Sequence, residues 1–407
     1  MRHISKLVLA LLLLSLLASA SWLSCGGNVG EGVTITIGEI TDLTGPASPA
    51  TVTLHWAMVD LVRYYNEENL IPGVRLKLAT YNNNLDPARD IPAYNWCREQ
   101  GAEVILGVIA STAEILKPFA ENQKTPVITV SVTAPLLDPP GWVFCIAAPF
   151  ADQYSTFLKW ISENHWDYGA KRRVPKVGIV GWREASGIDK EHSIKNYCQA
   201  HPDKFKYVGS VMAPAGTMSY GGEIEVLKEC DYICIADTIV GIPNRDFLAR
   251  GYHPTVIIDS AGPAFKGFAV DVAGWEAMDG TLCIETQRCW WDPSPVVELA
   301  RQILHRYHPD KEQEWIDAGS SYGGGFITQS IFLEMIRHAV EQVGAENFNG
   351  QAFYDASLDF ELQYEGHPRW YFTETERTCI HDVAIIEFSA EAKDMIRVSD
   401  WMPLVKE

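Results

Sequence analysis

The sequence predicts an α/β protein made of two doubly wound lobes, each a parallel sheet covered by helices. Three observations carry this. Val33 to Thr41 alternates apolar and polar residues on a period of two, the mark of a strand. Short, continuous apolar runs then alternate with amphipathic helical stretches, as in parallel sheets buried on both faces. The alternation pauses at Pro149 and begins again, giving two βαβ series in place of one. With 407 residues, 47% apolar and 21% charged, the chain is an ordinary globular one, long enough for two or three domains at roughly 150 residues each.

In order, the strand Val33 to Thr41 is followed by a helix over Thr53 to Glu68, with Leu54, Ala57, Met58, Leu61 and Tyr65 on one stripe. A strand at Val74 to Tyr81 and a helical segment before Gly101 come next. Pro92 conflicts with a helix capped at Asp86, so that helix either kinks or starts at Asp90 with Pro92 in its first turn. Apolar strands follow at Glu103 to Ala110 and Pro126 to Thr133. In the second series, helices at Gln153 to His165, Ile188 to Ala200, Gly222 to Cys230 and Asn244 to Arg250 separate strands at Lys176 to Trp182, Lys206 to Met212, Asp231 to Asp237 and Thr255 to Asp259. A strand at Thr281 to Thr286 leads to helices near Val296 to Tyr307 and within Tyr322 to Val343. Strand-like segments at Arg369 to Thr373, Val383 to Phe388 and Ile396 to Val398 close the chain. No Gly/Ser linker separates the two series, so the lobes are expected to share one cleft.

Arg2 and Lys6 precede an apolar run from Leu7 to Ala20, shorter than the roughly 20 residues that span a bilayer and typical of a secretory signal. Cys25 follows, and the stretch resembles a lipobox: Ser24 and Gly26 fit, while Trp22 holds the place usually taken by leucine. Residues 1–24 are therefore expected to leave as a signal peptide. Cys25 is then either the lipid-bearing first residue or an ordinary free cysteine. The other cysteines are compatible with disulfides in an oxidising compartment, with Cys283 and Cys289 the local pair to consider.

Lys plus Arg number 33 against 52 for Asp plus Glu, a formal net charge of −19 that repels a phosphate backbone and excludes nucleic acid as a partner. No P-loop, no G-x-G-x-x-G after the first strand and no G-x-S-x-G elbow is present. His305 and His308 share a metal-like spacing but lack a third ligand, and read as surface histidines. Gly221-Gly222 and Gly323-Gly324-Gly325 have no Lys-Ser/Thr after them and read as close-packing points. Neither a catalytic residue, a cofactor nor a metal is expected.

One resemblance sharpens this reading. Ile37 to Pro46 (IGEITDLTGP) resembles the opening strand and glycine turn of branched-chain amino acid ABC-transporter substrate-binding proteins. Tyr81-Asn82-Asn83, Asp86-Pro87-Ala88 and Gly101 to Gly107 (GAEVILG), then Ser111-Thr112 and Pro126 to Ser131 (PVITVS), are similar to that family's most recognisable segment. Tyr322-Gly323-Gly324 through Leu358 resembles its late helices. The resemblance spans roughly residues 33–402.

It implies a type I periplasmic-binding-protein fold, with three crossovers near Pro149, Glu285 to Gln287 and Phe360 to Gly366. Lobe 1 would comprise 33–149 and 288–360, and lobe 2 would comprise 150–287 and 361–402. A solute would close into the cleft between them. By the same resemblance, Ser111 and Thr112 would meet a ligand carboxylate, with Ser131 and Thr133 in the second contact loop. On the other lobe, Ser186 and Asp237 or Thr238 stand where the family has tyrosines. Asp259 stands near the acidic residue that holds an α-ammonium group. These departures put a branched-chain amino acid ligand in question, and Trp182 is a candidate to line the pocket instead. The expected protein is an exported solute-binding protein that passes a small polar ligand to ABC permease subunits and is held to the membrane through Cys25. A ligand-sensing receptor module of the same fold is the alternative.

Overall fold

The computed structural model describes residues 32–406, apart from 132, 215 and 237–239. The signal segment, Cys25, Asp237 and Thr238 lie outside the described residues. The first sheet holds β1 (Val33–Thr41), β2 (Val74–Asn82), β3 (Ala102–Gly107), β4 (Val127–Thr129) and β5 (Val143–Cys145), all parallel, in the order β2-β1-β3-β4-β5. The second contains β6 (Lys176–Trp182), β7 (Lys206–Ala213), β8 (Tyr232–Ile235), β9 (Thr255–Ile258) and β10 (Leu282–Glu285), in the parallel order β7-β6-β8-β9-β10. The two orders are the same pattern, so the two lobes repeat one topology.

β11 (Glu361–Leu362) and β12 (Trp370–Tyr371) form a small separate pair. β13 (Asp382–Ser389) joins the second sheet antiparallel to β10, and β14 (Asp394–Arg397) and β15 (Met402–Pro403) pair with β13. Before that entry, Thr378 bridges to Cys145 at the edge of the first sheet.

Local chemistry explains the boundaries. The helix after β1 runs from Ser48 to Glu67, earlier than its apolar stripe begins, because Pro49 suits a first turn. Asp86 caps a short 3-10 turn through the amide of Ala88, and the next helix starts at Asp90 with Pro92 inside its first turn. β4 stops at Thr129, where the hydroxyl takes the amide of Ser131 and gives its proton to the Ser131 carbonyl, turning the chain out of the sheet. The stretch at Gly221 to Leu227 is 3-10 and not α-helical.

Both faces of each sheet are buried. Ile37, Val104, Leu106 and Ile128 join the core beneath the helix Ser320–Val343, which contributes Phe326, Ile327, Phe332 and Ile336. In the second lobe Val180, Ile233, Ile235 and Ile258 pack on Phe247 and Phe265. The eight described cysteines are all buried and free, so Cys283 and Cys289 are not bridged. They face different cores, Cys283 among Val256 and Ile258 and Cys289 beside Trp290. Burial pushes the Cys289 thiol up to about 12 and that of Cys283 well above its ordinary value. Among the described residues no helix is long and apolar enough to cross a membrane.

Candidate functional site

A cavity of about 250 Å³ lies between the two sheets, at the carboxyl ends of their strands. In each sheet the strand order reverses beside the first strand, and crevices of open α/β sheets form at such switch points. Ala47, Ala50, Thr51 and Leu54 reach the cavity after β1, Val108 and Ile109 after β3, and Val130 and Ser131 after β4. The second lobe supplies Trp182, Glu184, Ser186 and Lys190 after β6 and Ser260, Ala261 and Ala264 after β9. Phe150, Thr286 and Gln287 stand where the chain passes between lobes.

The wall after β1 is built by Asp42. Its carboxylate accepts the amides of Thr44, Gly45 and Ala47, and Thr51 donates its hydroxyl to the Asp42 carbonyl, fixing the glycine turn against the helix that follows. The opposite wall depends on small residues. A Cβ on Gly323 would run into the Trp290 ring, and one on Gly325 into the Leu54 side chain. These glycines let the helix Ser320–Val343 bring Ser320, Ser321 and Thr328 to the cavity.

Most of the lining is apolar, and its ionisable side chains are Glu184 and Lys190. Behind Lys190, Asp259 is 1% exposed, and its Oδ2 is 2.7 Å from the Lys190 ammonium. Lys190 also donates to the Ala236 carbonyl at 3.1 Å and sits 3.9 Å from the centre of the Phe150 ring. The other oxygen of Asp259 accepts the amide of Ala261 at 2.9 Å, and Tyr154 donates its hydroxyl to the Ile235 carbonyl beside it. Glu184 is half-buried, and burial raises its pKa against the pull of Lys190.

Ser131, Trp182 and Ser186 thus line one cavity, with Asp259 directly behind its wall. Ser111 sits in the first turn of the helix Ala110–Gln123 and is half-buried, outside that lining. Thr112 is fully buried, donating to Asp90 at 3.0 Å and lying 3.3 Å from the Asn83 amide. Thr133 donates to Glu114 at 2.6 Å and lines a second hollow, with Asp189 and His192 from the other lobe. His305 and His308 pair with different carboxylates, Glu312 and Asp60.

Sequence reasoning missed Lys190, Glu184, Gln153 and Asp42. Asp42 carried a readable signal, an aspartate three residues before a turn glycine. Lys190 carried none, because a lysine on a polar helical stretch reads as solvated. Gln153 is fully buried at the first crossover, donating to the Ala148 carbonyl and accepting the Ser260 amide.

Where β10 leaves the second sheet, Glu285 is 3% exposed, pairs with Arg397 and accepts from the Trp291 indole at 2.9 Å. Burial pushes its carboxyl up to about 7, with Arg397 opposing. A carboxyl raised in the folded state binds its proton more tightly there than when unfolded. Stability should therefore fall as pH rises from about 4.5 through about 7, by an amount of order 3 kcal/mol. Glu285→Gln should flatten this decline, which melting temperatures from about pH 5 to about pH 8 would read. Equal slopes in the two proteins would refute the assignment.

The sequence profile of the family described as "Periplasmic binding protein" matches residues 34–393. Among solved structures, the branched chain amino acid ABC transporter from Thermus thermophilus with bound valine is similar at a TM-score of 0.79 and 18% identity, over 91% of this chain and 96% of that one. The fatty acid ABC transporter substrate-binding protein from Thermomonospora curvata gives 0.77 and 13%, over 91% and 92%. A possible leucine/isoleucine/valine-binding protein from Rhodopirellula baltica SH 1 gives 0.73 and 14%, over 91% and 97%. No curated protein sequence matches. The fold shared with these structures is the type I periplasmic-binding-protein fold, two α/β lobes around a cleft.

Proposed function

The chain belongs to the periplasmic binding protein family, and on that premise we propose that it is an exported carrier that closes two lobes around one small solute and hands it to an ABC permease. The observation that supports this is the cavity of about 250 Å³ lined from both lobes at the strand ends. Hinge closure there buries a ligand from two sides, and oriented hydrogen bonds supply affinity without covalent chemistry. A lipid anchor on Cys25, outside the described residues, is part of the proposal.

In the proposed division, residues 33–149 and 288–379 make one lobe and 150–287 and 380–402 the other. The last boundary moves from 360 to after Cys379; the bridge of Thr378 to Cys145 of the first sheet and the entry of the chain into the second sheet at Asp382 support it. Ser131, Trp182 and Ser186 are the proposed ligand contacts from the sequence-based set.

A thermal-shift panel of amino acids, short amides, urea, aromatic and aliphatic acids and small peptides tests the reading. A true ligand at roughly a hundred times its Kd adds about 2.7 kcal/mol of apparent stability. Silence across the panel would count against solute capture. Trp182→Ala should weaken the ligand found at least tenfold, about 1.4 kcal/mol or more, because a buried aromatic wall is lost. An unchanged Kd by calorimetry would remove Trp182 from the site.

A further inference from the structure

We infer that the solute is an organic cation, an amine with an apolar body, and that Glu184 holds its nitrogen. This rests on the solute-binding reading above and names the ligand class of that cleft. Among the described residues, the ionisable side chains of the cavity lining are Glu184 and Lys190. Lys190 is already spent. Its ammonium meets Asp259 at 2.7 Å, the Ala236 carbonyl at 3.1 Å and the centre of the Phe150 ring at 3.9 Å. Those three partners match the three N–H donors of an ammonium group, so none is left for a ligand carboxylate or for Glu184. With Lys190 and Asp259 cancelling, the charge left over among the described lining residues is that of Glu184.

Glu184 is placed to spend that charge on a guest. It stands just before the helix Ala185–Ala200, in extended backbone, yet its side chain does not cap the helix. Burial raises its pKa with Lys190 opposing, and no hydrogen bond shares in that balance. A half-buried carboxylate without a hydrogen bond from the described residues is stabilised when a cation arrives. The wall around it suits the rest of an amine. Trp182, two residues earlier, offers an aromatic face to a positive nitrogen. Leu54, Val108, Ile109, Val130 and Phe265 offer surface to a hydrocarbon or aromatic body. On the first lobe, Ser111 lies outside the lining and Thr112 is bonded to Asp90, so the loop after β3 presents Val108 and Ile109 where a carboxylate would need donors.

Two sets of three compounds, each set built on one carbon body, separate the possibilities by calorimetry on the purified protein. In the first, 3-methylbutylamine stands beside leucine and 4-methylpentanoate; in the second, 2-phenylethylamine stands beside phenylalanine and 3-phenylpropanoate. The expected result is at least tenfold tighter binding of the amine than of both its partners, in one set or both. Binding in which neither amine leads by that margin overturns the inference and leaves solute capture standing. The inference falls in the same way if all six fail while another member of the broader panel binds. Failure of every compound, panel included, overturns both. Glu184→Gln keeps the shape of the side chain and drops its charge, so the amine should bind at least tenfold more weakly. An unchanged Kd in the folded variant would overturn the assignment to Glu184. Should that variant fail to fold, the six-compound comparison on the unaltered protein decides alone.

Discussion

Lys190→Ala is expected to lose about 3–5 kcal/mol of stability, near the top of the range for truncating one side chain. The reason is the state of the partner left behind. Asp259 is 1% exposed, and without Lys190 its charge keeps only the Ala261 amide and the nearby Tyr154 hydroxyl. The attraction within the pair is not itself worth that much, since both ions were desolvated to form it. A double substitution, Lys190→Met with Asp259→Asn, should therefore recover most of the loss. Denaturant melts of the single and double variants would read this directly. A double variant as unstable as the single one would mean that Lys190 acts by filling space over Phe150 and not by charge.

Arg377→Ala is expected to cost about 3 kcal/mol, from several charge-assisted hydrogen bonds lost together. Arg377 is 3% exposed and forms no ion pair with a carboxylate among the described residues. Its guanidinium donates instead to the carbonyls of Gly141 at 2.9 Å, Thr373 at 2.7 Å and Glu374 at 3.2 Å, and to the Tyr354 hydroxyl at 2.9 Å. It lies 5.0 Å from the centre of the Phe144 ring. One side chain thus fastens the returning segment 373–379 to the edge of the first sheet. In the variant, hydrogen exchange should speed at the amides of Cys145 and Cys379, which bond across this seam. Arg377→Lys should rescue little, because a point charge cannot serve carbonyls spread along a planar fork. Full stability in the lysine variant would refute the fork argument.

The regular part of the fold was legible because burial imposes a period. β1 and β6 were readable as strands almost to the residue, since a period-two pattern in one and an apolar run in the other fix their length. β5 was not, because three residues after Pro139-Pro140-Gly141 hold no period. The helices Lys266–Ala273 and Glu312–Ala318 were equally silent, one being apolar nearly throughout and the other having no fully buried residue. At the cleft, the family resemblance pointed to Ser131, Trp182, Ser186 and Asp259, and equally to Ser111, Thr112 and Thr133, which lie outside the cavity lining. What sequence could not supply was pairing. Asp259 reads as a carboxylate awaiting a cation, and nothing local reveals that the cation comes from the helix after β6. The late segment around β11 and β12 is held by a two-residue pair, by Arg377 and by one bridge, none of which leaves a pattern along the chain.

The eight buried thiols also make the chain its own clock. They are spread through both lobes and the segment between them, from Cys97 to Cys379, and no covalent tie shortens the unfolded chain. A maleimide or a disulfide reagent reaches a given sulfur only when the surrounding lobe comes apart. The order in which the cysteines are modified is thus the order in which regions of the molecule open. Cys97 keeps time for the first lobe, Cys198, Cys230 and Cys234 for the second, and Cys289 for the stretch beside the cleft. Oxidants outside the cell meet the same gate: while the lobes hold, reducing and oxidising surroundings leave the protein equally firm.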